Sequence, residues 1–352
     1  MINDRIQRQE AGDGSTNYQA ETITVVQGLS YRDARDIALD VYQQNFIKLS
    51  EHAAQVALGR AEEFIDDFLG KIQSKNPALL EQMNQPSIQN SLYCAQKQYA
   101  VTGDKELKGL LLDLVVQRCE QEERSIHQIV LDEAIELAPK LTVEQMDALS
   151  LNFIVYKTIF NGIRSQEALF EHIKTQILPF IESLKFDTSC YEHLTYLGAA
   201  TVEYTGKIPQ LYEGYQETYK GLFSKGFDEA EVVQLLDVEK KAERLIMPCI
   251  NYPNLYQVAV LRSDELDIAC EQLEIPDGIK VKIRGLMDSH TMTPEEIKTF
   301  LLEKVPETEQ LFEFWDKTRI HKMFLTTVGI ALAQANFLRR TGVELNIDIW
   351  VK

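Results

Sequence analysis

The chain has 352 residues, of which 45% are hydrophobic, so there is material for a large core and global disorder is excluded. Its 54 acidic residues against 36 basic ones give a formal net charge of -18, which argues against binding a nucleic-acid backbone as a main task, because Lys and Arg supply that affinity. The five cysteines, Cys94, Cys119, Cys190, Cys249 and Cys270, lie far apart with no CxxC pair, the usage of reduced thiols in a cytoplasm.

Residues 1–28 differ from the rest. The first ten are polar and do not read as a secretory signal. A turn follows at Gly12-Asp13-Gly14-Ser15, then a β-prone run, Thr22-Ile23-Thr24-Val25-Val26, closed by Gly28. Ser30 with Asp33 three residues on reads as a capping box. Ala34, Ile37, Ala38, Val41, Tyr42 and Phe46 follow at helical spacing. From here to Arg340 the chain keeps returning to that period. Ser50, Asp104, Thr142 with Gln145, Ser165, Asp228 and Ser263 are further helix starts, and Thr293-Pro294-Glu295-Glu296 combines a cap, a first-turn proline and first-turn acids. Breaks at Pro77, Pro86, Gly103, Pro139, Gly162, Gly226, Pro276 and Pro306, among others, divide the region into about a dozen helices. No repeat period appears, and residues 186–189 are the best place to divide two helical lobes.

The stretch from Met323 to Leu338 carries no charge and is apolar almost all round, with small residues Gly329, Ala331, Ala333 and Ala335. A helix without a polar face belongs in a core. The run is shorter than the ~20 apolar residues of a membrane span and contains Gln334 and Asn336. Arg339 and Arg340 suit the last turn, and Gly342 the left-handed position after it. Then Val343, Leu345, Ile347, Ile349 and Val351 alternate with polar or aromatic residues, which predicts a strand over 343–351. The fold class expected is therefore mainly α, with an arm at 1–28, a helical domain over 29–352, and a small β element built from the N- and C-terminal segments. Pairing of 22–26 with 343–351, within or between chains, would leave strand edges open and predicts a homo-oligomer.

Enzyme signatures are mostly missing: there is no GxxxxGK[ST], HExxH, GxSxG or ExxH. Cys190 and His193 sit one turn apart, but a metal needs more ligands than these. Pro276-Asp277 with Glu296-Ile297-Lys298 imitates the PD…ExK pattern of metal-dependent nucleases, yet Glu296 and Lys298 fall inside a well-capped helix. Arg284 and His290 have a spacing that resembles the arginine–histidine motif of the all-α HEPN ribonucleases, in which such a pair would activate a ribose hydroxyl and hold the phosphate. Gly285 stands where that family commonly has a polar residue, and a solvated helix end is the simpler reading of the pair. Tyr191, Tyr196, Tyr204, Tyr212, Tyr215 and Tyr219 cluster; Tyr212, Tyr215 and Tyr219 share a helix face that suits either a groove or the edge of a core.

The two ends, Gly12-Asp13-Gly14-Ser15 through Gln19-Ala20, Gly28-Leu29-Ser30-Tyr31 with the helix that follows, Thr327 to Ala331, Ala335-Asn336 and Ile349-Trp350-Val351, resemble those of an uncharacterised, locus-tag-named bacterial family of mainly helical proteins. The resemblance implies a cytoplasmic bacterial protein, with no activity or catalytic residue to carry over. Three functions stay open. One is a non-enzymatic interaction or self-assembly protein, partnered by copies of itself or by another protein or peptide. The second is a HEPN-like ribonuclease using Arg284 and His290. The third is a ligand-sensing or effector module in bacterial defence. No cofactor, metal or membrane is implied.

Overall fold

A computed structural model describes residues 29–45, 50–121, 124–160, 162–203, 205 and 210–351. The β-prone run at 22–26 and Tyr204 lie outside them. The described chain is mainly helical, as its periodicity implies.

Six helices open the molecule: α1 (Tyr31–Asn45), α2 (Glu51–Lys75), α3 (Pro86–Thr102), α4 (Lys105–Cys119), α5 (Ile126–Leu137) and α6 (Val143–Lys157). Their starts follow local chemistry. Ser30 Oγ accepts from the Asp33 amide while Asp33 answers from its carboxylate. Asp104 accepts two first-turn amides of α4, and Thr142 with Gln145 closes a capping box on α6. Shorter helices follow: α7 (Gln166–His172), α8 (Ser189–Tyr196), α9 (Leu211–Thr218), α10 (Glu229–Leu236), α11 (Ser263–Gln272), α12 (Asp277–Ser289), α13 (Pro294–Lys304) and α14 (Thr308–Lys317). Thr293 and Glu296 cap α13 reciprocally, with Pro294 at its start. The last helix is α15 (Thr327–Thr341).

Helix α15 is the centre of the main core. It packs on α4, α5 and α6, and Val328 through Phe337 are all buried. The expected helix start at Met323 is corrected by three residues of strand. Met323–Leu325 (β4) pairs antiparallel with Ala200–Val202 (β1), and Thr326 then caps the helix through the Gly329 amide. Gly329 has a packing reason: a Cβ there would overlap the Ala199 carbonyl oxygen. Gly342 ends the helix at φ 72°, the left-handed turn its position implied.

The strand expected over 343–351 is absent. Burial alternates from Val343 to Asp348 as the sequence pattern demands, but among the described residues no strand lies alongside. The segment is instead a strap laid across the helices. The Gln334 side chain donates to the Leu345 carbonyl, Ile347–Ile349 forms a 3-10 turn, and Trp350 donates from Nε1 to the Lys157 carbonyl while meeting Phe153 edge-on at 4.8 Å. The 3-10 turn breaks the alternation, so Ile349 faces solvent while Ile347 and Val351 are buried. Among the described residues the β content comes from internal segments, the β1–β4 pair and a second hairpin, β2 (Ile246–Pro248) with β3 (Tyr256–Val258), and not from the C-terminal end.

The division expected near 186–189 does not separate cores, since Phe180, Tyr191 and Leu194 share the main one. A smaller core instead gathers Phe227 through Met287, from α10, α11, α12 and the β2–β3 hairpin, and both flanking segments return to the main cluster.

Candidate functional site

The two polar residues of α15 organise the interior. They are two positions apart, about 200° around the helix, so they face opposite ways. Asn336 donates to Asp147 Oδ1 and to Ser150 Oγ of α6, each at 2.9 Å. Ser183 donates to Asp147 Oδ2 at 2.6 Å, and Arg340 stands 3.6 Å away. Burial holds the Asp147 carboxyl above the ordinary carboxylate range, against the pull of Ser183, Asn336 and Arg340. Every polar atom named in this cluster is paired, and the hollow beside it holds only about 40 Å³. It ties α6 to α15 and leaves no room for a ligand.

The other side is different. Gln334 donates to the Leu345 carbonyl at 2.8 Å, and its own oxygen accepts from Gln117 Nε2 of α4 at 3.0 Å. A carbonyl only accepts, so the orientation of both amides is fixed by the strap. The relay ends at Gln117 Oε1, a buried acceptor without a partner. One helix away, His127 in the first turn of α5 contacts Asp348 of the strap, Nδ1 to Oδ1, at 2.8 Å. A carboxylate likewise only accepts, so Nδ1 carries a proton, and in the neutral form of the ring Nε2 is an acceptor. That atom too is buried and unpartnered. Gln117 and His127 are 8% and 6% exposed, and both line one cavity of about 590 Å³ with Glu120, Gln334, Leu345 and Asp348. A second hollow of about 460 Å³ adjoins it across Lys75, Gln117 and Glu344. Each lies in the size range of small-molecule sites.

The charge along this groove is set by Lys75, at the end of α2. Its ammonium bridges Glu120 at 2.9 Å and Glu344 at 3.0 Å. Burial pulls its pKa down, but the two carboxylates outweigh that and hold it above the ordinary lysine value. Lys71 pairs with Asp113 at the far end. The larger cavity therefore presents three carboxylates, Glu120, Glu344 and Asp348, to one ammonium.

The residues singled out from sequence lie elsewhere. Arg284 donates to Asp267 at 2.8 Å across α11 and α12. His290, the residue after α12, stands 3.5 Å from Glu231 and edge-on to Phe227. The two thus face separate carboxylates. Glu296 caps its helix and pairs with Lys225, while Lys298 pairs with Asp316. Cys190 is buried, which pushes its thiol up to about 12, and His193 turns to Gln145. Among the described residues no group of three or more His, Cys, Asp and Glu side chains is placed to hold a metal. Tyr191, Tyr215 and Tyr219 are buried and Tyr196 is exposed. The hollow lined by Tyr215, Tyr219 and His172 holds about 60 Å³, room for a water or two.

A protein-family model whose description reads only “:-like” matches residues 28–351. The chain belongs to that family. The match takes in α2, α4, α5 and the strap, and stops short of the Gly12–Ala20 segment that formed part of the N-terminal resemblance. No curated protein matches the chain. No solved structure matches it either. Among the described residues, no helix is long and apolar enough to cross a membrane.

Proposed function

We propose that the protein is a non-enzymatic binding module, a ligand sensor of small polar molecules, and that the groove between α2, α4, α5 and the strap is its site. One observation carries this reading. Gln117 and His127 line one ligand-sized cavity, and each carries a buried polar atom, Gln117 Oε1 and His127 Nε2, without a hydrogen-bond partner. Each such atom costs ~1–3 kcal/mol while unsatisfied, a cost a bound donor removes. The lining offers no serine, cysteine or threonine beside His127, so a nucleophilic relay has no first member there.

A thermal-shift screen of polar metabolites tests the reading, with Gln117→Met and His127→Leu as controls. Gln117→Met trades one orphan acceptor, Gln117 Oε1, for another, Gln334 Oε1, so it should fold with little change. Saturable stabilisation of the wild type that both variants lose is the expected result. Stabilisers that act equally on all three proteins, or none at all, would refute the assignment.

A further inference from the structure

The geometry points to a small aliphatic ammonium compound as the ligand, an inference that rests on the binding reading above and adds the chemical class. The Gln117 orphan is an acceptor and cannot be turned into a donor without breaking an observed bond, and His127 Nε2 is an acceptor in the neutral ring. Rotating the Gln117 amide would set its oxygen against the Gln334 oxygen, and rotating Gln334 would set oxygen against the Leu345 carbonyl. Moving the His127 proton to Nε2 would leave Nδ1 facing the Asp348 carboxylate, lone pair against lone pair. A ligand that completes this site must therefore bring donors. An anion such as phosphate or a carboxylate brings only acceptors, and it would meet three carboxylates as well.

Charge narrows the class further. Lys75 already bridges Glu120 and Glu344, while the Asp348 carboxylate, 63% exposed, lines the groove with the His127 N–H as its one partner among the described residues. A protonated amine matches this on both counts. It supplies three N–H donors and one positive charge, and charge-assisted bonds to a carboxylate are the stronger kind. Leu345 and Ile347 line the same cavity and offer an apolar wall for a short carbon stem. A neutral polyol satisfies the acceptors but leaves the charge unanswered.

Three probes with a four-carbon stem separate these cases: 1,4-diaminobutane, 1,4-butanediol and succinate, titrated by calorimetry into the full chain at constant ionic strength. The expected result is saturable binding of the diamine alone, weakened roughly tenfold or more by Asp348→Asn, the scale of one lost charge-assisted contact. The same loss in Gln117→Met, with an unchanged circular dichroism spectrum and melting temperature, places the amine at the relay's end. If butanediol binds as tightly as the diamine, the ammonium class is wrong while the groove remains a binding site. If succinate binds best, the class is also wrong and Lys75 is the dominant contact. If no probe binds, or the diamine binds equally to wild type, Asp348→Asn and Gln117→Met, the ammonium assignment is overturned. If the metabolite screen also yields no ligand sensitive to Gln117 and His127, the binding reading falls with it.

Discussion

Gly329→Ala puts two opposed effects on one atom. Replacing glycine by alanine inside a helix normally helps by about 1 kcal/mol, because alanine loses less backbone freedom. At Gly329 the new Cβ overlaps the Ala199 carbonyl oxygen, and relief requires the two backbones to separate by roughly 1 Å. That carbonyl is not free to move: it accepts from the Thr326 amide at 3.1 Å and from Thr326 Oγ1 at 3.0 Å, and Gly198 beside it accepts from Thr326 Oγ1 at 2.7 Å. Thr326 is also the cap of α15. Overpacking costs ~1–3 kcal/mol, and a lost cap or hydrogen bond about 1 kcal/mol more. The clash should therefore win, with net destabilisation of roughly 1–3 kcal/mol. The control is Gly59→Ala, an exposed interior position of α2 whose Cβ would meet nothing within 4 Å. It should stabilise by about 0.5–1 kcal/mol through propensity alone. Urea midpoints followed by circular dichroism compare the two. If Gly329→Ala unfolds at or above the wild-type midpoint, the close packing of the α15 start on Ala199 is wrong.

Ala333→Asp places an unpaired charge at a fully buried position of α15 and should abolish soluble folding; soluble protein with wild-type melting would show that helix to be exposed. Asp147 has its folded pKa raised by burial, so its favourable contribution is complete below the ordinary value of 3.8 and is lost as pH rises through the raised value. The stability of Asp147→Asn relative to wild type should therefore improve as pH climbs from about 4; a difference that is flat, or that falls with pH, contradicts the burial argument. RNA incubated with the purified protein should stay intact, since Arg284 and His290 face separate carboxylates; cleavage that vanishes in His290→Ala would restore the ribonuclease reading. Deleting residues 1–27 should leave the number of subunits, taken as light-scattering mass over chain mass, unchanged, because the segment expected to pair with that arm is a strap on its own chain; fewer subunits in the truncation returns the arm to assembly.

Much of the fold was legible because its signals are local. Ser30, Asp104, Thr142, Ser165, Asp228 and Thr293 each bond first-turn amides within three residues, and Gly342 takes the left-handed turn. The misreadings are all decided at long range. Met323–Leu325 reads as the first turn of an apolar helix and becomes a strand because Ala200–Val202 is beside it. Val343–Asp348 has the burial period of a strand and lacks one because its carbonyl at Leu345 is taken by a side chain of α15. Period two reports which side is covered; it does not report what the backbone bonds to.

The site was half-written in the sequence. Gln334 and Asn336 stand in a run with no other reason to be polar, and a polar group buried with that run must find a partner. Two positions apart on a helix, they must find partners on opposite sides, so two buried polar clusters can be inferred from the one stretch. Which one is closed and which open cannot, since Gln117, Asp147 and Leu345 are brought to α15 only by the fold. The distinction follows from counting donors. Around Asn336 an amide, a hydroxyl and a guanidinium meet a carboxylate, and the cluster closes on itself. Around Gln334 the donors run toward the strap, each amide passing its hydrogen to the next acceptor, so the deficit collects at the inner end, on Gln117 Oε1, and Gln117 is a residue that lines the cavity.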